Sequence, residues 1–198
     1  MRQTSQHNLK KAKKNIVLVG VAGVGKTTVG EIAAKKLNMA FVDMDMEFEA
    51  AEEADIDTLV DRYGDDGFNH QLLLRFEKQI RSKDHTIFAP SPRVLRYKEF
   101  WAIVKQNGIS VHLQGKPSEI YMRQEMWLGK RKITQEEKSN ERWKSEFNDY
   151  YAWEIRYCKK ADHTVRIVGN KQVDAETLCK TIRQLIPVDD TQKEDVSN

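Results

Sequence analysis

Eight consecutive residues, Gly20-Val21-Ala22-Gly23-Val24-Gly25-Lys26-Thr27, match the pattern G-x-x-x-x-G-K-[ST] in full. Each residue type has a job in holding phosphate. The glycines let the loop curl until successive backbone N–H groups point inward at anionic oxygens. A helix opening near Lys26 would aim the positive end of its dipole at the same point. The Lys26 ammonium can reach the outer phosphates of a nucleotide, and the Thr27 hydroxyl is placed to ligate Mg²⁺. The binding segment is therefore expected to be Gly20, Ala22, Gly23, Val24, Gly25, Lys26, Thr27 and Thr28, with ATP or a close relative as ligand and Mg²⁺ as its metal.

Two further groups could take part. Asp43 and Asp45 are two residues apart at the end of an apolar run, a spacing that points both the same way on a strand. One carboxylate could hold Mg²⁺ through water, and the other could orient or deprotonate an acceptor hydroxyl. Gly129-Lys130-Arg131-Lys132 is a basic segment between helical stretches. A closing loop with an arginine would supply positive charge over a migrating phosphoryl group while excluding water.

The elements that must position these groups read as alternating strands and helices. Ile16–Val19 is a short apolar run ending at a glycine, as buried parallel strands do. Further strands are expected at 40–42, 86–89, 109–113 and 164–168. Helices are expected at 28–37, 67–82, 93–106, 117–127, 135–158 and 173–186, the long one starting from Thr134 with Glu137 as a capping box. That alternation predicts an α/β protein: three layers, with a parallel sheet wrapped by helices on both faces. Between Asp43 and Asp66 lie eleven carboxylates against one base, Arg62. Most of these acids read as a solvated helical insertion, and a substrate flap is the alternative.

Composition narrows the class. A chain of 198 residues with 39% hydrophobic and 32% charged side chains suits one soluble α/β domain over residues 15–187. A net charge of +3 gives no reason to expect a nucleic-acid or membrane partner. The two cysteines, Cys158 and Cys179, lack metal-ligand spacing and fit a reducing cytoplasm. Residues 1–14 form a basic tail and residues 188–198 a largely acidic one; both are expected to be disordered. The N-terminus carries no apolar signal sequence, and no run approaches the length of a membrane-spanning helix.

The segment Asn15 to Asp45, NIVLVGVAGVGKTTVGEIAAKKLNMAFVDMD, closely resembles the opening of the shikimate kinases. The similarity continues through Tyr63-Gly64 to Phe68 and returns at Tyr157 and Ala161-Asp162-His163-Thr164-Val165. This resemblance implies the nucleoside-monophosphate-kinase-like fold, with a five-stranded parallel sheet in order 2-3-1-4-5. It implies a substrate-binding helical region near 45–82 and a lid near 128–138. Carried over by position, Lys26 contacts phosphates, Thr27 and Asp43 attend the metal, and Asp45 attends the acceptor hydroxyl. Arg131 becomes the lid arginine, with Lys132 where the family has proline. Arg123, or Gln124 with a shift of one residue, matches an arginine that stacks on adenine.

The departures concern the acceptor. The family's Phe-Arg-x-x-Glu is Phe68-Asn69-His70-Gln71-Leu72 here. Its three glycines after the third strand are Pro90-Ser91-Pro92, and proline offers no N–H. Trp153 stands where the family has an arginine four residues before the tyrosine. Asn69 and Trp153 thus become the candidate acceptor-site residues, together with Asp45. The expected function is transfer of a phosphoryl group from ATP, leaving ADP, to the hydroxyl of an unidentified small molecule other than shikimate. The alternative is a nucleotide-binding sensor without acceptor chemistry. A nucleotide kinase is a third reading, in which Arg75, Arg93 and Arg96 would bind a second phosphate-bearing substrate.

Overall fold

The computed structural model describes residues 15–130 and 141–186. Five strands, β1 (Asn15–Val19), β2 (Ala40–Asp43), β3 (Thr86–Ala89), β4 (Gly108–Gln114) and β5 (His163–Arg166), form one sheet in the order β2-β3-β1-β4-β5. All four pairings are parallel. The helices are α1 (Lys26–Leu37), α2 (Met44–Glu52), α3 (Ile56–Ser82), α4 (Lys98–Asn107), α5 (Pro117–Lys130), α6 (Glu141–Cys158) and α7 (Lys171–Leu185), with a 3₁₀ turn at Pro92–Val94. The order and the parallel pairing are those expected from the sequence.

β1 occupies the centre because every residue of it is apolar enough, or well enough partnered, to be buried. Ile16, Val17, Leu18 and Val19 are fully buried; all four pair with β4, and Ile16 and Val17 also pair with β3 on the other side. Asn15 is the polar member, and its amide is used completely. It donates to the carbonyls of Ile80 and Lys83 and accepts from the N–H of Thr86, which ties the end of α3 to the bottom of the sheet. On the other side of β1, Asp162 accepts from the N–H and hydroxyl of Ser110, which fixes the entry to β5 against β4.

The helices differ from expectation mainly at their starts. α1 begins at Lys26 rather than at residue 28, because Gly25 takes a left-handed conformation (φ 110°) that turns the chain straight into the helix. The acidic stretch forms two helices, α2 and the first half of α3, joined at residues 53–55, so the helix expected at 67–82 begins at Ile56. Asp43 caps α2, and Asp55 caps α3 by accepting from the N–H of Thr58. At Gly64 (φ 69°, ψ 162°) α3 bends sharply, and its two halves point differently.

The expected helix at 93–106 divides into the 3₁₀ turn and α4. The fifth strand ends two residues early, at Arg166, because Val168 and Gly169 turn aside. α7 starts at Lys171, capped by the side chain of Asn170. Among the described residues no helix is long and apolar enough to cross a membrane. Both tails, Arg131 and the Thr134 capping box lie outside the described residues.

Candidate active site

The loop between β1 and α1 sits at the carboxyl end of the central strand, where ligands of open α/β sheets bind. Its curl needs positive φ at Gly23 (76°) and Gly25 (110°), and a turn hydrogen bond from Val24 N–H to Val21 O closes it. Lys26 folds back over the loop and donates to the carbonyls of Gly20 (2.8 Å) and Val21 (3.3 Å). Burial pulls its ammonium below the ordinary lysine range, and Glu154, Asp45 and Asp43 counteract that pull.

Thr27 donates its hydroxyl proton to Oδ2 of Asp43 at 2.6 Å. The other oxygen of Asp43 accepts from the N–H groups of Asp45 (3.0 Å) and Met46 (3.3 Å). Asp43 is therefore the last residue of β2 and the N-cap of α2 at once. Asp45 is not on the strand, as strand alternation required, but in the first turn of α2. The two carboxylates still face each other closely enough to interact. Burial first, and the charge of Asp43 second, raise the Asp45 carboxyl from 3.8 to about 6, against the lowering effects of Lys26 and Ser91.

A cleft of about 430 Å³ runs from the loop, Gly23 to Val29, to Arg123, Gly169, Lys171 and Asp174. Arg123 is within it, donating to Val24 O at 3.1 Å and standing 3.9 Å from Glu119. The far wall is a built turn. Asp174, 3% exposed, accepts from Val168 N–H (2.7 Å) and Gly169 N–H (3.1 Å). A Cβ at Gly169 would meet Arg123 and Glu119, each at 2.9 Å, so the turn packs directly against α5. Sequence reasoning missed Gly169, Lys171 and Asp174. The available signal was an acid four residues after Asn170, inside the first turn of a helix that follows a strand end.

Glu154 was missed as well. It is 3% exposed on α6, and its Oε2 accepts from the N–H of Ala22 at 3.2 Å. Tyr150, one turn earlier, donates its hydroxyl to Oε1. The signal was the spacing of Tyr150, Glu154 and Cys158, which puts a carboxylate on the inward stripe of an amphipathic helix.

The acceptor side differs from a bare cationic pocket. Asn69 is fully buried, with neither amide atom hydrogen-bonded, and presents no surface to the cleft. Trp153 is half-buried and meets Tyr157 edge to face at 5.2 Å. Arg75 pairs with Glu52 and lies 4.3 Å over the ring of Phe48. Arg62 shares the same glutamate at 3.2 Å. Arg93 pairs with Asp65 at 2.8 Å, and Arg156 is exposed. In the turn after β3, Pro90 and Pro92 have no N–H, and the buried Ser91 faces Asp45. Gly129 and Lys130 end α5, whereas Arg131 and Lys132 are outside the described residues.

A P-loop at the end of the central strand of a 2-3-1-4-5 parallel sheet, with an acidic pair facing it, defines a P-loop kinase fold. The family model for shikimate kinase matches residues 22–185, and the chain belongs to that family. The shikimate kinase of Hahella chejuensis is 37% identical over 117 residues, which are 57% of this chain and 58% of the relative. The chain thus aligns with little more than half the length of such curated relatives. The shikimate kinase of Acinetobacter baumannii in complex with shikimate superposes with a TM-score of 0.71 at 26% identity, covering 87% of this chain and 92% of that one. That of Bacteroides thetaiotaomicron gives a TM-score of 0.73 at 18% identity, over 88% and 99%, a likeness of fold.

Proposed function

We propose that the chain transfers the terminal phosphoryl group of ATP to the hydroxyl of a small molecule, and that this acceptor is not shikimate. The observation that carries the reading is the contact of Thr27 with Asp43, beside Asp45 and Lys26. These groups suit the two things the reaction needs, charge compensation on phosphate and a base near the acceptor.

The donor set fits a magnesium ion held in part by nucleotide oxygens and water. Among the described residues no three Asp, Glu, His or Cys side chains gather to hold a metal alone. One hydroxyl and one carboxylate in contact are what a hard cation with several other oxygen ligands requires. Bound there by Thr27 and Asp43, Mg²⁺ would neutralise charge on the outer phosphates. Lys26 would exchange its two carbonyl partners for phosphate oxygens. The acceptor oxygen would attack the terminal phosphorus, the bond to the bridging oxygen would break, and ADP would leave. Asp45, with a carboxyl at about 6, is ionised at neutral pH and would take the hydroxyl proton. Arg131 would place positive charge over the migrating group.

The acceptor reading rests on charge. Arg62 and Arg75 are compensated by Glu52, and Arg93 by Asp65. Trp153 and the Pro90-Ser91-Pro92 turn replace groups that would bind a carboxylate. This arrangement suits an uncharged or cationic hydroxyl compound better than a small anion. The two prolines also support a second reading, a nucleotide sensor without transfer, because they remove donors beside Asp45. A screen of hydroxylated compounds with Mg-ATP, read by ADP release over a substrate-free control, separates the two. Turnover with an acceptor that disappears in Asp45→Asn supports the kinase. Nucleotide binding with no acceptor-dependent turnover supports the sensor.

A further inference from the structure

The contact between Glu154 and Ala22 places a carboxylate where a P-loop offers its N–H groups to phosphate. The side chain is held there from both sides. Tyr150 donates to one oxygen and Ala22 to the other, and the residue is 3% exposed. Lys26 faces the same carboxylate. Among the charges acting on Lys26, that of Glu154 contributes most to keeping it protonated.

The direction of a bound nucleotide follows from the cleft. Arg123 of α5, and Gly169 and Lys171 at the start of α7, wall the cleft opposite the loop. Lys26, Thr27, Asp43 and Asp45 gather at the other end, where the outermost phosphate must lie if phosphoryl is to reach an acceptor. Glu154 stands at that end, against Ala22 and Lys26. Inner phosphates can be cradled by the N–H groups from Gly23 to Thr28 without disturbing it. An outermost phosphate cannot, because it seeks the same N–H and the same ammonium and carries the same sign of charge.

We propose that Glu154 is a specificity-determining residue that occupies the terminal-phosphate position, so that the chain at rest favours a nucleoside diphosphate over a triphosphate. The inference rests on the reading of Gly20–Thr28 as a nucleotide site. A triphosphate binds only by displacing the carboxylate from Ala22. Loss of the Tyr150 hydroxyl, which anchors the carboxylate from behind, eases that displacement.

Calorimetry with Mg-ADP and with the Mg complex of a non-hydrolysable β,γ-imido ATP analogue tests this in the wild type, Glu154→Gln, Tyr150→Phe and Lys26→Ala. The wild type should bind ADP more tightly than the analogue. Glu154→Gln should strengthen analogue binding by roughly tenfold or more while ADP changes by less than about threefold. Tyr150→Phe, at a partly exposed position that does not threaten the fold, should shift the ratio in the same direction by a smaller factor. Equal changes for both nucleotides, or no change in the ratio in either variant, would overturn the proposal. If the wild type binds both nucleotides, Lys26→Ala loses both, and Glu154→Gln leaves their ratio alone, the nucleotide site stands and only this inference fails. Absence of binding by the wild type would sink both.

Discussion

Thr27 and Asp43, sixteen residues apart on α1 and β2, are joined by a 2.6 Å hydrogen bond from hydroxyl to carboxylate. The contact links the start of the phosphate loop's helix to the acidic end of the neighbouring region. The second oxygen of Asp43 meanwhile fixes the first turn of α2. One carboxylate therefore sets the position of Thr27 on one side and of Asp45 on the other.

Removing the Lys26 charge should abolish measurable nucleotide binding. Charge-assisted hydrogen bonds contribute roughly 1.5–3 kcal/mol each, so losing two to phosphate lowers affinity by about two to four orders of magnitude. Lys26→Ala titrated with Mg-ADP by calorimetry checks this, and an affinity equal to that of the wild type would refute it.

Asp45 and His112 should pull stability in opposite directions as pH falls. Asp45 is raised from 3.8 to about 6, so the fold binds its proton more tightly than the unfolded chain does. That contribution is full below pH 3.8 and is lost as pH rises through about 6. His112 is buried and lowered from 6.5 to about 4, by burial first and Lys159 second. Its contribution is full above pH 6.5 and is lost as pH falls through about 4. In metal-free buffer, Asp45→Asn should therefore gain about 1–3 kcal/mol at neutral pH and almost nothing at pH ~4. His112→Gln should flatten the acid limb. Denaturant titrations from pH ~4 to ~7.5 read both, and a pH-independent gain in Asp45→Asn would contradict the assignment.

Shikimate should be at best a poor acceptor. Losing two charge-assisted contacts removes about 3–6 kcal/mol, or roughly two to four orders of magnitude in affinity. A coupled ADP-release assay with millimolar shikimate and Mg-ATP is the measurement. Saturable turnover that vanishes in Asp45→Asn would show that the usual activity of the family persists here on other contacts.

Gly30→Ala should destabilise the fold despite placing alanine in a helix. A Cβ there would lie 2.5 Å from the ring of Phe41 and 2.9 Å from a methyl of Leu18. Overpacking of this kind costs about 1–3 kcal/mol, while the helix gain is about 1 kcal/mol. Thermal melting of the variant should show a loss of a few degrees, and a rise would mean that Phe41 swings aside freely.

The parts of this architecture that were legible in the sequence are those governed by short-range rules. The loop from Gly20 to Thr27 carries its chemistry in consecutive residues, and β1 carries its burial in an unbroken apolar run. Asp45 was identified for a reason that does not hold. Strand alternation does not reach it, because Asp43 caps a helix at the point where β2 ends. Glu154 and Asp174 act through contacts spanning 132 residues in one case and a tight turn in the other. Each leaves only a weak local trace, an acid four residues after Asn170 and the spacing of Tyr150, Glu154 and Cys158, since any carboxylate on an inward helical stripe reads as ordinary packing. The arginines of the acceptor side were visible as residues, but their neutralisation depends on how α3 meets α2, for Glu52, and the 3₁₀ turn at Pro92–Val94, for the pair of Asp65 with Arg93.

The bend at Gly64 makes a demand of handedness rather than of room. No atom lies within 4 Å of the place an L side chain's first carbon would take, yet the backbone angles of 69° and 162° exclude one. Any ordinary amino acid at this point would be comfortable in space and wrong in chirality. A mirror-image residue, introduced by chemical ligation, would meet the backbone's preference, whereas L-alanine would tend to straighten α3. The direction taken by the acidic half of α3 is thus written into the stereochemistry of one α-carbon that has no stereochemistry of its own.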